Sequence, residues 1–152
     1  MTRVVACAAF ALLVAAAAEA HVTVRPRESK AGATETYTVR VPTEGKVATI
    51  SVEIDVPQGV TINSVEPISG VTSEMKREGV RIISVMWVVT IDPGQNRELV
   101  FVAQNPSNAA EIVWKAHQRY ADGTSSEWVG APGSRQPAPA TTLTASSAGG
   151  GR

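Results

Sequence analysis

Between Val47 and Val56 apolar and polar residues alternate, with Ala48, Ile50, Val52, Ile54 and Val56 on one side and Thr49, Ser51, Glu53 and Asp55 on the other. A period of two is the repeat of a β-strand, whose successive side chains point to opposite faces, so this segment is expected to be a strand with one buried face. The same pattern, rich in β-branched and aromatic residues, predicts strands over 34–41, 80–90, 97–103 and 111–120. Shorter strands are expected over 21–24, 60–65 and 127–129. Turn formers punctuate them: Pro42 to Gly45, Pro57 to Gly59, Ser69-Gly70, Asp92 to Gly94, Asn105-Pro106 and Asp122-Gly123. The last is expected to close a hairpin. No long stretch carries helical periodicity, and many short strands at this spacing predict an all-β chain, an immunoglobulin-like two-sheet β-sandwich.

The two ends read differently from the middle. Arg3 precedes an apolar run from Val4 to Ala18, which ends in Ala18-Glu19-Ala20. A basic start, a short apolar stretch and small residues before the cut are the marks of a cleaved secretion signal. Residues 1–20 are therefore expected to be a signal peptide cut between Ala20 and His21, and the product to be periplasmic or secreted. Residues 21–143 are left as one domain. From about Pro137 the composition turns to Ala, Thr, Ser, Gly and Pro, and 144–152 is expected to be a disordered tail.

Composition then excludes several classes. The sole cysteine, Cys7, falls inside the signal, so the exported domain has no disulfide, thiolate metal site or cysteine nucleophile. Acidic and basic residues balance at 14 each, and no basic block with interleaved aromatics offers a nucleic-acid surface. After Ala20 no apolar run approaches the roughly 20 residues of a membrane helix.

After the signal only His21 and His117 remain as histidines. His117 shares a strand face with Val113, Lys115 and Arg119, which reads as a solvated position whose cationic neighbours disfavour a metal ion. Cleavage would give His21 a free α-amine, and its amine and imidazole nitrogens can close a six-membered chelate suited to the tetragonal preference of copper(II). The chelate needs a further donor. Glu98 falls on the strand side of Val100 and Val102, so a partly buried carboxylate is expected there, balanced by Arg97 or by a metal. Trp87 and Trp114 read as core, whereas Trp128 follows the hairpin turn, where it can cap a site or cover the sandwich end.

Several segments taken together resemble the YcnI-like copper-binding domain family, formerly a domain of unknown function, along nearly all of 21–143. They are His21-Val-Thr-Val-Arg-Pro26, Ala31-Gly-Ala-Thr-Glu-Thr-Tyr37, Val39-Arg-Val-Pro-Thr-Glu44, Val56-Pro-Gln-Gly-Val60, Phe101-Val-Ala-Gln-Asn-Pro106, and Trp114 to Gly123 leading to Glu127-Trp128. The resemblance implies a sandwich binding one copper(II) per chain through a single-histidine brace: N-terminal amine and imidazole, a glutamate, and a tryptophan beside the metal. These carry over to His21, to Glu98 by its place before Phe101-Val-Ala, and to Trp128, with Glu35, Glu44, Glu111 and Glu127 as the other candidate carboxylates. The chain departs from the family at Gly70-Val71, where Gly-Trp is frequent, and at Gly94-Gln95-Asn96, where Gly-Gln-Phe is.

The function so implied is a non-catalytic copper carrier or buffer in uptake or homeostasis, with a membrane copper transporter as partner. Two other classes compete: a copper oxidase of the histidine-brace type, and a metal-free adhesion or interaction sandwich.

Overall fold

The computed structural model describes residues 21–146. The expected signal peptide at 1–20 and the end of the expected tail at 147–152 lie outside the described residues. Among the described residues twelve strands form: β1 Thr23–Arg25, β2 Glu28–Lys30, β3 Thr34–Pro42, β4 Thr49–Asp55, β5 Thr61–Val65, β6 Thr72–Glu78, β7 Arg81–Ile91, β8 Asn96–Gln104, β9 Glu111–Val113, β10 Ala116–Tyr120, β11 Ser125–Trp128 and β12 Ala140–Thr144. No helix among the described residues is long and apolar enough to cross a membrane.

The strands make two facing antiparallel sheets, in the orders β1-β3-β8-β5 and β11-β10-β4-β7-β6, and a small third sheet β2-β12-β9 in which β12 runs parallel to β2. The facing surfaces bury alternate residues as the period of two requires. Tyr37, Val39 and Val41 of β3 and Leu99, Phe101 and Ala103 of β8 meet Val52, Ile54, Val85 and Trp87 from the opposite sheet, all fully buried. Tyr37 stacks on Phe101 at 5.4 Å between ring centroids, and Trp114 and Phe101 meet edge-to-face at the same distance. With no disulfide, this aromatic and aliphatic core is the main favourable term in folding.

Three departures from simple alternation have physical causes. In β4 the register shifts between Thr49 and Ser51, a β-bulge. The extra residue turns Thr49 inward and Ile50 outward, reversing the expected faces at that end. Thr49 is fully buried because its hydroxyl is used, at 2.6 Å from the Thr43 hydroxyl and 2.7 Å from the donating Gln118 amide. The expected single strand over 111–120 is broken at Trp114-Lys115, where the Trp114 N–H donates to Pro139 O and Lys115 O accepts from the Asp55 N–H. The chain there passes from the small sheet to a large one.

Third, a strand forms within the Ala-, Thr- and Pro-rich stretch that begins near Pro137, ending at Thr144 where the expected tail starts. β12 pairs on both sides, with Thr141 and Leu143 buried and the Thr141 hydroxyl donating to Pro26 O at 2.9 Å. Strands β2, β6 and β12 had no apolar alternation to announce them. The Asp122-Gly123 hairpin forms as expected between β10 and β11, with Gly123 at φ 86° and the Asp122 carboxylate accepting from the Thr124 N–H and hydroxyl.

Candidate metal centre

His21 is the exposed residue before β1, and it is anchored because Val22 and Val24 are both buried in the core. Pairing of β1 with β3 sets Thr23 opposite Arg40, so His21 is carried toward the end of β3, where Pro42 leads into Thr43 and Glu44. Thr43 is buried and donates its N–H to Gln95 O, while Glu44 is exposed. From the other sheet Trp128 closes β11, opposite Ala116. The imidazole of His21 and the indole of Trp128 lie 5.5 Å apart between centroids, tilted by 58°.

These residues border one open cavity of about 790 Å³, lined by His21, Glu44, Gln118, Trp128 and Arg135 among others. Glu44 is thus the candidate carboxylate that shares a cavity with His21 and Trp128 and, among the described residues, has no hydrogen-bond or ion-pair partner. Glu127 also lines the rim, but its carboxylate is held by His117 Nδ1 and by the Ser125 hydroxyl at 3.1 Å. Glu98 does not reach the cavity: it is exposed on β8, opposite Arg40, and not half-buried as its apolar strand neighbours suggested. Glu35 accepts from the Ser29 hydroxyl at 2.7 Å and Glu111 is exposed on β9; neither lines the cavity.

What fixes Trp128 is a residue that sequence reasoning passed over. Gln118 is fully buried, and its amide nitrogen donates to Pro42 O at 2.9 Å and to the Thr49 hydroxyl at 2.7 Å. Both amide hydrogens are thereby used, so its oxygen is left to accept from Trp128 Nε1 at 3.1 Å. One side chain therefore ties the strand that carries Trp128 to the strand end that leads to Glu44. Its parity with Trp114 and Ala116 on a core face was the available signal, since a buried amide must find partners.

The indole nitrogen is occupied as a donor, so Trp128 offers His21 its ring and not a ligand atom. The cavity wall beyond it is a loop over 130–139, closed by Gly130 N–H to Gln136 O and Ala138 N–H to Gly130 O, both at 2.9 Å. A Cβ on Gly130 would sit 2.9 Å from Gln136 O, so the close approach of this loop requires glycine.

His117 is not the solvated residue its strand neighbours suggested. Its partners come from across the sheet: Nδ1 meets Glu127, and Nε2 lies 3.2 Å from Asp55 Oδ1. Partial desolvation lowers its pKa, but hydrogen bonds and charge from Glu127 and Asp55 outweigh this and hold it above the usual histidine value. The same contact, against a smaller desolvation cost, holds the Glu127 carboxyl below its usual range.

Among the described residues no group of three or more His, Cys, Asp or Glu side chains is placed to hold a metal. A site here must draw more than one donor from a single residue or use fewer side chains. His21 and Glu44 supply nitrogen and oxygen, the donor types that suit copper(II), and the cavity has room between them.

The comparisons with known proteins agree with this frame. Copper-binding protein CutI of Bacillus subtilis (strain 168) is 39% identical over 136 residues, 88% of this chain and 67% of that protein. A crystal structure of an uncharacterized protein from Nocardia farcinica, described as an immunoglobulin-like fold, superposes with a TM-score of 0.74 at 28% identity, over 83% of this chain and 99% of that one. A non-cellulosomal cohesin from the archaeon Archaeoglobus fulgidus shares the fold alone, with a TM-score of 0.51 at 13% identity over 82% of this chain and 91% of its own. The fold is thus an immunoglobulin-like all-β sandwich. The model of the domain of unknown function DUF1775 matches residues 21–145, and the chain belongs to that family.

Proposed function

We propose that this protein binds one copper(II) ion per chain at the His21 end of the sandwich and carries or buffers copper in uptake or homeostasis outside the cytoplasm, in the periplasm or as a secreted protein. The observation that carries this reading is that His21, Glu44 and Trp128 border one cavity, with the indole turned to the imidazole at 5.5 Å. The name of the Bacillus subtilis relative, copper-binding protein, supports the choice of metal. Removal of residues 1–20 makes His21 the first residue, so its amine and imidazole each bring a nitrogen and Glu44 an anionic oxygen. Bound copper is the cargo. Trp128 flanks it, attracting the cation through the ring face and keeping water away.

Binding without turnover is favoured because His117, the second histidine, has its ring nitrogens engaged by Glu127 and Asp55, and the cavity is lined by His21 alone of the two. A membrane copper transporter is the partner class this reading requires, since no described segment crosses a membrane as a helix. The test compares a chain beginning at His21 with the same chain acetylated at that N-terminus, each titrated with copper(II) after metal removal. One tight equivalent is expected for the first, and its loss for the second, where the amine is an amide. Equal binding by both would overturn the brace.

A further inference from the structure

β6 is the outermost strand of its sheet: β7 pairs with one side, and no strand of the described residues covers the other. All seven of its residues are exposed. Alternate N–H and C=O groups of such an edge are left without strand partners, which makes it a template for another strand unless the sequence guards it. β6 is not short and contains no proline. Its guard is its charges, and their arrangement is self-complementary.

Glu74 and Lys76 point to the outer sheet face, where Lys76 Nζ lies 3.1 Å from Glu53. Met75 points to the other face and lines a cleft with Val60, Ile62 and Ile82. For a second copy to pair antiparallel and continue the sheet, a two-fold axis must stand perpendicular to it. That axis pairs residues of equal parity, so it passes through a residue. An axis through Glu74 sets Glu74 against itself, and one through Lys76 sets Lys76 against itself. Axes through Ser73 or Arg77 run the pairing off the strand end, and the latter opposes two arginines at the bulge between Lys76 and Arg77.

An axis through Met75 sets Glu74 against Lys76 on both sides, Met75 against Met75 and Ser73 against Arg77. Opposite charges facing across strands stabilise a pair and like charges oppose it. The same register carries Val80, 96% exposed at the β6–β7 turn, toward the half-buried Ile68 and Val71 of the other copy. We infer that β6 is a self-association edge, through which two copies of this chain pair antiparallel about Met75 and join their sheets. The interface is one strand wide and smaller than the roughly 1,200 Å² of a stable complex, so the dimer is weak and forms at high concentration. It stands apart from the copper reading and does not depend on it.

The test is sedimentation equilibrium of the chain from His21 to Arg152, from micromolar to millimolar concentration, with folding of each variant checked by circular dichroism. The wild type is expected to associate reversibly to a dimer. Lys76→Glu and Glu74→Lys, made separately, each turn both charged pairs into like pairs and should weaken association about tenfold. Mixed in equal amounts the two variants should associate with each other at least as well as wild type, because one copy then presents two acidic residues and the other two basic ones. The Lys76→Glu copy lacks the contact with Glu53 in the mixture as it does alone, so restoration by mixing cannot come from that contact. Oxidation should crosslink Met75→Cys dimers and leave Glu74→Cys monomeric. A wild type that stays monomeric throughout, variants that associate as wild type does, or a mixture that fails to restore association would each overturn the proposal, as would crosslinking through Glu74→Cys instead of Met75→Cys.

Discussion

Gln118 and His117 are neighbours on β10 and point to opposite faces, and the two faces solve the problem of a polar side chain in a sheet differently. Inward, a neutral amide is fully buried and spends its hydrogen bonds on Pro42, Thr49 and Trp128. Outward, a histidine is held between the carboxylates of Glu127 and Asp55. The inner arrangement positions an aromatic ring beside His21, at a cavity with space for a ligand. The outer arrangement satisfies its own charges and leaves no ring nitrogen to offer. Availability thus separates the two histidines of the chain more sharply than residue type does.

The contrast breaks most visibly if the wrong histidine matters. His21→Ala is expected to lose stoichiometric copper(II) binding while keeping the fold, since an exposed residue ahead of β1 contributes little to the core. His117→Ala should bind copper as wild type does, and titration of both variants in parallel reads the difference.

Gln118→Leu is the next largest effect. It leaves the Trp128 N–H without its partner and should cost about 1–3 kcal/mol in urea unfolding. By releasing the indole it should also weaken copper affinity by about 10–100-fold, the range for residues that orient a site from behind. Loss of stability with unchanged affinity would show that Gln118 supports the fold alone.

Glu44→Gln should weaken binding and shift the copper spin-resonance spectrum without abolishing binding, because the two nitrogens of His21 remain. Glu98→Gln should do neither, since Glu98 lies outside the cavity. The reverse outcome would return the carboxylate role to Glu98.

The smallest effect belongs to the outer pair. With its folded pKa raised, His117 contributes stability that is complete below its ordinary value of 6.5 and is lost as pH rises through the folded value. With its folded pKa lowered, Glu127 contributes stability present above its ordinary value of 4.5 and lost as pH falls through the folded value. Their joint contribution is therefore greatest between these two values and small, because both side chains keep part of their surface in solvent, which screens the pair. Urea midpoints of wild type and His117→Asn should differ most near pH 5.5 and converge toward pH 9; a gap that widens with alkalinity would contradict the assignment.

The sandwich was legible in the sequence because strands with one buried face must alternate, as residues 34–41 and 97–103 do. Strands without a buried apolar face were not: β6 is exposed throughout, and β12 uses threonine where a core strand uses valine. His21 and Trp128 stand out in the sequence from an expected signal cut and a hairpin turn, and the structure sets their rings 5.5 Å apart. The resemblance puts Glu98 first among the carboxylates, whereas Glu44 and Glu127 line the cavity with His21, because β1 pairing with β3 carries His21 toward the end of β3. Gln118 lay within reach of parity, but the indole it holds belongs to a neighbouring strand.

The most direct test of the copper site is spin resonance of the copper(II)-loaded chain beginning at His21, with ¹⁵N-histidine incorporated in a His117→Asn background. His21 is then the one labelled residue, and its amine and imidazole nitrogens should both change their coupling to the copper electron. Couplings untouched by the label would place the metal away from His21 and contradict the site.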